Sequence, residues 1–215
     1  MVSAGLEILG LSLCVFGSLL VMVSCGLPMW RVTAFIEANI VVAQTIWDGL
    51  WMSCVVQSTG QMQCKVHDSV LALSHDLQAA RALTIISSVM GVLGLMVVIA
   101  GAQCTNCIRA EYVKARVVNA GGVIYIISAL FVLVPLCWMA NNIISDFYNP
   151  QIPGSQKREI GAALYIGWAA TALLLIGGSM LCCSCPSSGN SGYSVKYAPT
   201  KRATPNGDYD KRNYV

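Results

Sequence analysis

The polar and apolar positions along the chain are dominated by four long stretches without a charge. None falls between Glu7 and Arg31, between Arg81 and Arg109, between Arg116 and Asp146, or between Glu159 and Lys196. Each gap exceeds the about 20 apolar residues that carry a helix across a bilayer, which predicts transmembrane helices at about 8–28, 82–102, 117–138 and 160–183. The first has no basic n-region and too long an apolar run for a signal peptide, so it reads as an uncleaved anchor. Pro135 lies inside the third and is expected to bend it.

Between the first two helices the period changes. "WRVTAF", "NIVVAQTIW", "WMSCVVQ" and "QMQCKVH" are short and rich in β-branched and aromatic residues, as strands are. "VLALSHDLQAARAL" then returns to a helical pattern and reads as a short extracellular helix leading into the second span. The segment between the last two helices, about 139–159, is broken by Asn149-Pro150 and Pro153-Gly154, a turn signature.

Cys54 and Cys64 carry the most specific local signal. Set opposite each other in a hairpin, they place Val55 against Gln63, Val56 against Met62 and Gln57 against Gln61, leaving Ser58, Thr59 and Gly60 as the loop. Three-residue hairpin loops favour a left-handed last residue, and glycine takes that conformation at no steric cost. Opposed cysteines at a non-hydrogen-bonded pair lie about 4.5 Å apart at Cα, within disulfide reach. Side chains alternate along strands. Met52, Cys54, Val56, Met62, Cys64 and Val66 therefore form an apolar face that should pack. Ser53, Val55, Gln57, Gln61, Gln63, Lys65 and His67 form a polar face that should meet water. Such a wall can be half of an aqueous conduit whose ion discrimination depends on its charges. A cation about 4 Å from Lys65 is repelled by roughly 4 kcal/mol at an effective dielectric near 20. Screening removes this beyond about 8 Å, so the lysine matters only in a narrow passage.

Composition agrees with a membrane protein. The 215 residues are 56% hydrophobic and 11% charged, with a mean hydropathy of +0.65, where soluble domains carry about 25% charged residues. Eight of the thirteen basic residues fall in 103–116 and after 183, which makes these segments cytoplasmic by the positive-inside rule and puts both termini there. Residues 29–81 and 139–159 are then extracellular, where oxidising conditions favour the Cys54–Cys64 bond. A net charge of +3 is too small and scattered for nucleic acid. The tail from 186 to 215 is rich in Ser, Gly, Pro and Asn and is expected to be disordered.

Other reactive groups read less specifically. Cys104 and Cys107 make a C-x-x-C, with Cys182, Cys183 and Cys185 at the matching depth. Palmitoylation of such juxtamembrane thiols is favoured over unmodified thiols, and over zinc or redox chemistry. A membrane reductase is disfavoured because no charge is placed to activate the C-x-x-C. His67 and His75 lack metal-ligand spacing. Cys14, Cys25 and Cys137 read as packing residues. Trp30 and Trp51 read as interface anchors or as packing between sheet and helix tops. No cofactor, catalytic residue or metal site is expected.

Trp30, Gly49, Leu50, Trp51, Cys54 and Cys64 together match the claudin signature, and Arg81, "DFYNP", the run from Lys157 to Ala169 and the terminal Tyr214-Val215 also resemble that family. "MSCVVQSTGQMQCKV" looks most like the claudin-3, -4, -6 and -9 group. The resemblance implies an α+β membrane protein, with a left-handed four-helix transmembrane bundle under an extracellular antiparallel five-stranded sheet. Residues 1–185 would form the claudin domain. It implies a tight-junction strand protein of epithelial plasma membranes that binds other claudins in cis and in trans, and seals or selectively opens the paracellular space. Lys65 stands where cation-conducting relatives carry an acid, implying a cation barrier or weak anion preference, with Gln57 and His67 beside it. His67 replaces a common tyrosine, which would make the passage sensitive to pH. Val70 matches a residue that docks on a neighbour's Tyr148 and Ile160. Phe147, Tyr148 and Glu159 match adhesion positions. Gln151 stands where receptors for a clostridial enterotoxin carry leucine, which argues against toxin binding. The terminal "NYV" resembles a ligand for the PDZ domains of zonula occludens scaffold proteins. Related four-helix proteins that share the signature region also serve as auxiliary subunits of channels or receptors, which is the alternative function.

Overall fold

The computed structural model of the chain describes residues 4–33, 45–57, 59–67, 73–102, 111–153 and 157–183. Among the described residues four helices and five strands follow in the order α1 (Ala4–Gly26), β1 (Arg31–Thr33), β2 (Thr45–Asp48), β3 (Met52–Val56), β4 (Met62–Val66), α2 (His75–Gly101), α3 (Glu111–Tyr148), β5 (Arg158–Ile160) and α4 (Ala162–Cys183). All four helices are long and apolar enough to cross a membrane. Large apolar side chains such as Ile8, Phe16, Val89, Met96 and Val134 point outward from the bundle, the arrangement expected where lipid is the solvent.

Inside the bundle, contact depends on small residues and hydroxyls. Hydrophobicity cannot draw helices together in lipid, so close backbone approach and interhelical hydrogen bonds take over. A Cβ at Gly122 would meet the Gly178 carbonyl oxygen at 2.8 Å, and one at Gly177 would meet the Cys14 sulfur at 2.7 Å. Ser87 and Ser128 bind each other's carbonyl oxygens at 2.9 and 3.0 Å, tying α2 to α3. Ser24 Oγ donates to the Ala163 carbonyl at 2.7 Å, tying α1 to α4.

Two helices exceed their expected bounds. α2 already starts at His75, so the described part of the short leading helix and the second span form one helix rather than two. α3 continues ten residues beyond the expected end at 138. Its 38 residues measure about 57 Å at 1.5 Å per residue, far more than a bilayer core. The extension is held because Met139, Ala140 and Ile143 are buried, and because Asn142 Nδ2 donates to Asp76 Oδ2 on α2 at 2.8 Å. It ends before Pro150, where the preceding residue is disfavoured in helical conformation. An Asx turn follows, with the Gln151 amide donating to Asn149 Oδ1 at 3.0 Å. Pro135 lies within the unbroken α3.

The sheet is antiparallel throughout, with strand order β4-β3-β2-β1-β5. Three strands fall within runs that read as strands, and β2 overlaps a fourth such run but extends one residue past it to Asp48. β5 was not legible locally, because the turn-rich segment before α4 becomes a strand only by pairing with β1.

Candidate functional site

The hairpin register is the one the cysteine spacing dictates. Cys54 pairs with Cys64, Val55 with Gln63 and Val56 with Met62, and the two cysteines are disulfide-bonded with their Cα atoms 4.0 Å apart. The Gly60 amide donates to the Gln57 carbonyl at 2.9 Å, and Gly60 has φ 78°, the left-handed conformation the loop requires.

Register carries this alternation across the whole sheet, because directly paired residues share a face. Lys65 pairs with Ser53, Ser53 with Asp48, Asp48 with Arg31, and Arg31 with Ile160. These five residues form one row on the polar face, crossing all five strands. The next row runs Gln63, Val55, Ile46, with Thr33 and Arg158 beyond. At about 4.8 Å per strand, Lys65 and Asp48 stand about 10 Å apart at Cα. The polar face thus extends beyond the hairpin and gains Asp48, Arg31 and Arg158. Sequence alone missed these three; their positions follow from pairings between strands distant in the chain.

Those charges are engaged. Arg158 Nη1 lies 3.0 Å from Asp48 Oδ2, reaching across β1. Arg31 Nη2 lies 3.9 Å from Asp76 Oδ2 and 3.1 Å from the Met139 sulfur, linking the sheet to α2 and α3. Lys65, Gln61 and Gln63 are exposed, whereas Gln57 and His67 are half-buried. His67 leans back, with Nε2 3.4 Å from the Gly49 carbonyl oxygen, so it braces the base of the ribbon as well as lining its polar face.

The apolar face departs from expectation. Cys54 is buried, but every β4 residue is exposed, with Met62 at 53% and Val66 at 64%. Alternation marks a face that avoids water; it does not say that the covering atoms belong to the same chain.

The Gly49–Trp51 turn fixes the sheet on the bundle. Four successive carbonyls from Asp48 to Trp51 each receive a donor: the Trp30 amide at 3.0 Å, the His67 ring, Arg81 Nε, and the His67 amide at 3.2 Å. Arg81 is buried, and its guanidinium carbon sits 5.0 Å from the Trp51 ring centroid. A buried cation needs such partners to offset lost hydration. Trp30 is 1% exposed and donates from Nε1 to the Ser24 carbonyl at 2.8 Å, while Leu50 is fully buried. Trp30 therefore packs. Trp51 is 37% exposed and keeps one side open. A Cβ at Gly49 would overlap Pro28, so only glycine allows this approach.

At the other end, Phe147 and Tyr148 stack edge to face at 5.5 Å, and Lys157 Nζ lies 5.6 Å from the Phe147 ring centroid. Tyr148 is 78% exposed, Ile160 packs partly against the core, and Glu159 is exposed on the sheet face opposite Lys65. Cys14 is buried and Cys25 half-buried as expected of packing residues, whereas Cys137 points outward. Cys182 is half-buried, with Sγ 3.8 Å from the Asn119 carbonyl oxygen, and Cys183 is exposed. Val70, Cys104, Cys107, Cys185, Tyr214 and Val215 lie outside the described residues. Among the described residues no group of three or more His, Cys, Asp or Glu side chains could hold a metal.

Comparison with known proteins agrees with this architecture. The profile of the PMP-22/EMP/MP20/Claudin family matches residues 4–181. Human claudin-5 is 58% identical, over 99% of each chain. Dog claudin-4 is 55% identical over 97% of this chain and 100% of the relative, and human claudin-6 is 54% identical over 100% of both. Claudins -4 and -6 belong to the group the ribbon stretch resembles, and claudin-5 stands beside them. With one family profile spanning most of its length and full-length relatives above half identity, the chain belongs to the PMP-22/EMP/MP20/claudin family and is a claudin.

Proposed function

We propose that this claudin is a strand-forming adhesion protein of the tight junction whose polar sheet face borders the paracellular path and disfavours cations. The row that begins at the exposed Lys65, braced by a disulfide and anchored through Arg81, is the observation that supports this reading most directly. A selectivity wall must hold its charges at fixed positions, and this one is built on a sheet tied to four helices.

In this reading both termini are cytoplasmic, and neighbours associate in cis through Val70 on Tyr148 and Ile160. Phe147, Tyr148 and Glu159 contribute to adhesion between cells. Palmitoyl chains on Cys104, Cys107, Cys182, Cys183 and Cys185 would hold the inner helix ends at the lipid surface. The terminal Tyr214-Val215 would enter PDZ domains of zonula occludens scaffolds.

The open β4 argues for polymers, since its Met62 and Val66 stay exposed, without cover among the described residues. Expressed alone in cells without tight junctions, the protein should give continuous intramembrane strands on freeze-fracture. Scattered particles that co-purify in fixed ratio with a channel or receptor would favour an auxiliary subunit instead.

A further inference from the structure

We propose that Arg158, on β5, is a second selectivity-determining residue, and that it acts by neutralising Asp48 in the row that begins at Lys65. The inference rests on the polar face being the ion path.

Asp48 shares its row with Lys65, two strands away, or about 10 Å at Cα, which is close to one Debye length in physiological salt. A cation repelled at Lys65 would therefore find a carboxylate one screening length further along the wall. Arg158 removes that attraction. Its Nη1 is 3.0 Å from Asp48 Oδ2, reached over β1 because residues 31, 33, 48 and 158 share the face. Among the described residues Nη1 makes no hydrogen bond, and its contact with Asp48 acts through charge. The two side chains remain 29% and 23% exposed, so an imbalance between them would be felt in the aqueous space. Arg31 cannot substitute, because its guanidinium is directed away toward Met139 and Asp76.

This arrangement gives opposite signs for the two partners. Arg158→Gln leaves Asp48 uncompensated and should raise the sodium-to-chloride permeability ratio of a monolayer by about two- to fivefold, the size expected of one charge acting across roughly a Debye length. Asp48→Asn leaves Arg158 uncompensated and should lower the ratio by a similar factor. The double variant should return close to the wild-type ratio, and Arg158→Lys should hardly move it. A merely structural ion pair predicts otherwise: both single variants would shift the ratio in the same direction through leak, and the double variant would not recover. That result, or no shift in either single variant, overturns the proposal. If Arg158→Gln is poorly delivered to junctions, Arg158→Cys treated with a cationic or an anionic thiol reagent supplies the same contrast, with treated wild type as reference. Lys65→Asp, measured alongside, separates the two levels. If it shifts the ratio while positions 48 and 158 do not, Arg158 is no determinant. If it too is silent, the polar face is not the path.

Discussion

Replacing Gly161 by alanine probes the seam between sheet and bundle. A Cβ there would lie 2.6 Å from the Met29 carbonyl carbon and 3.0 Å from that of Trp30, and closer still to the Met29 oxygen. All of these atoms are backbone, so no side chain can swing aside. The seam must open by about an ångström to restore normal contact. Two hydrogen bonds cross it, from the Gly161 amide to the Trp30 carbonyl and from the Ala163 amide to the Met29 carbonyl, both 3.1 Å. Overpacking costs about 1–3 kcal/mol and each of the two weakened bonds about 0.5–1.5 kcal/mol, so the variant should lose about 2–6 kcal/mol. At about 2–4 °C per kcal/mol for a chain of this size, the purified protein in detergent should melt roughly 4–24 °C lower. Gly26→Ala is the control, since a Cβ there meets nothing within 4 Å. Equal melting temperatures for the two variants would refute the idea that this close approach fixes the sheet.

Two further substitutions test the supports of the site. Arg81→Lys keeps the charge but cannot both donate to the Leu50 carbonyl and cover Trp51, so stability should fall by about 1–3 kcal/mol in thermal melts. Equal stability would show that a point charge suffices there. Ser87→Ala and Ser128→Ala should each destabilise, and the double variant should reveal a coupling of about 0.5–1.7 kcal/mol, the range of polar contacts inside membranes. Strict additivity would remove that contact from the account.

Much of this molecule could be read locally. Gaps between charges marked all four helices, and the spacing of Cys54, Gly60 and Cys64 set the hairpin register residue by residue. What escaped depends on distant contacts. The α3 extension carries its signal in Met139, Ala140 and Ile143, an i, i+1, i+4 apolar set that continues the helical period, yet Asn141, Asn142 and Asp146 disguise it as a loop. β5 is too short to announce itself. The row from Lys65 to Ile160 joins residues more than one hundred positions apart, so no local pattern could place Asp48 beside Arg158. Alternation separated apolar from polar positions on the hairpin, but it did not foretell that Met62 and Val66, on the apolar side, would stay exposed.

The central claim is that passing ions sense the disulfide-braced polar face. Dilution potentials of monolayers that express Lys65→Asp in place of their own claudins test it most directly. One reversed charge at the exposed end of the row should turn discrimination toward sodium severalfold, with strands and the Cys54–Cys64 bond intact. A ratio identical to wild type in such junctions would contradict the account.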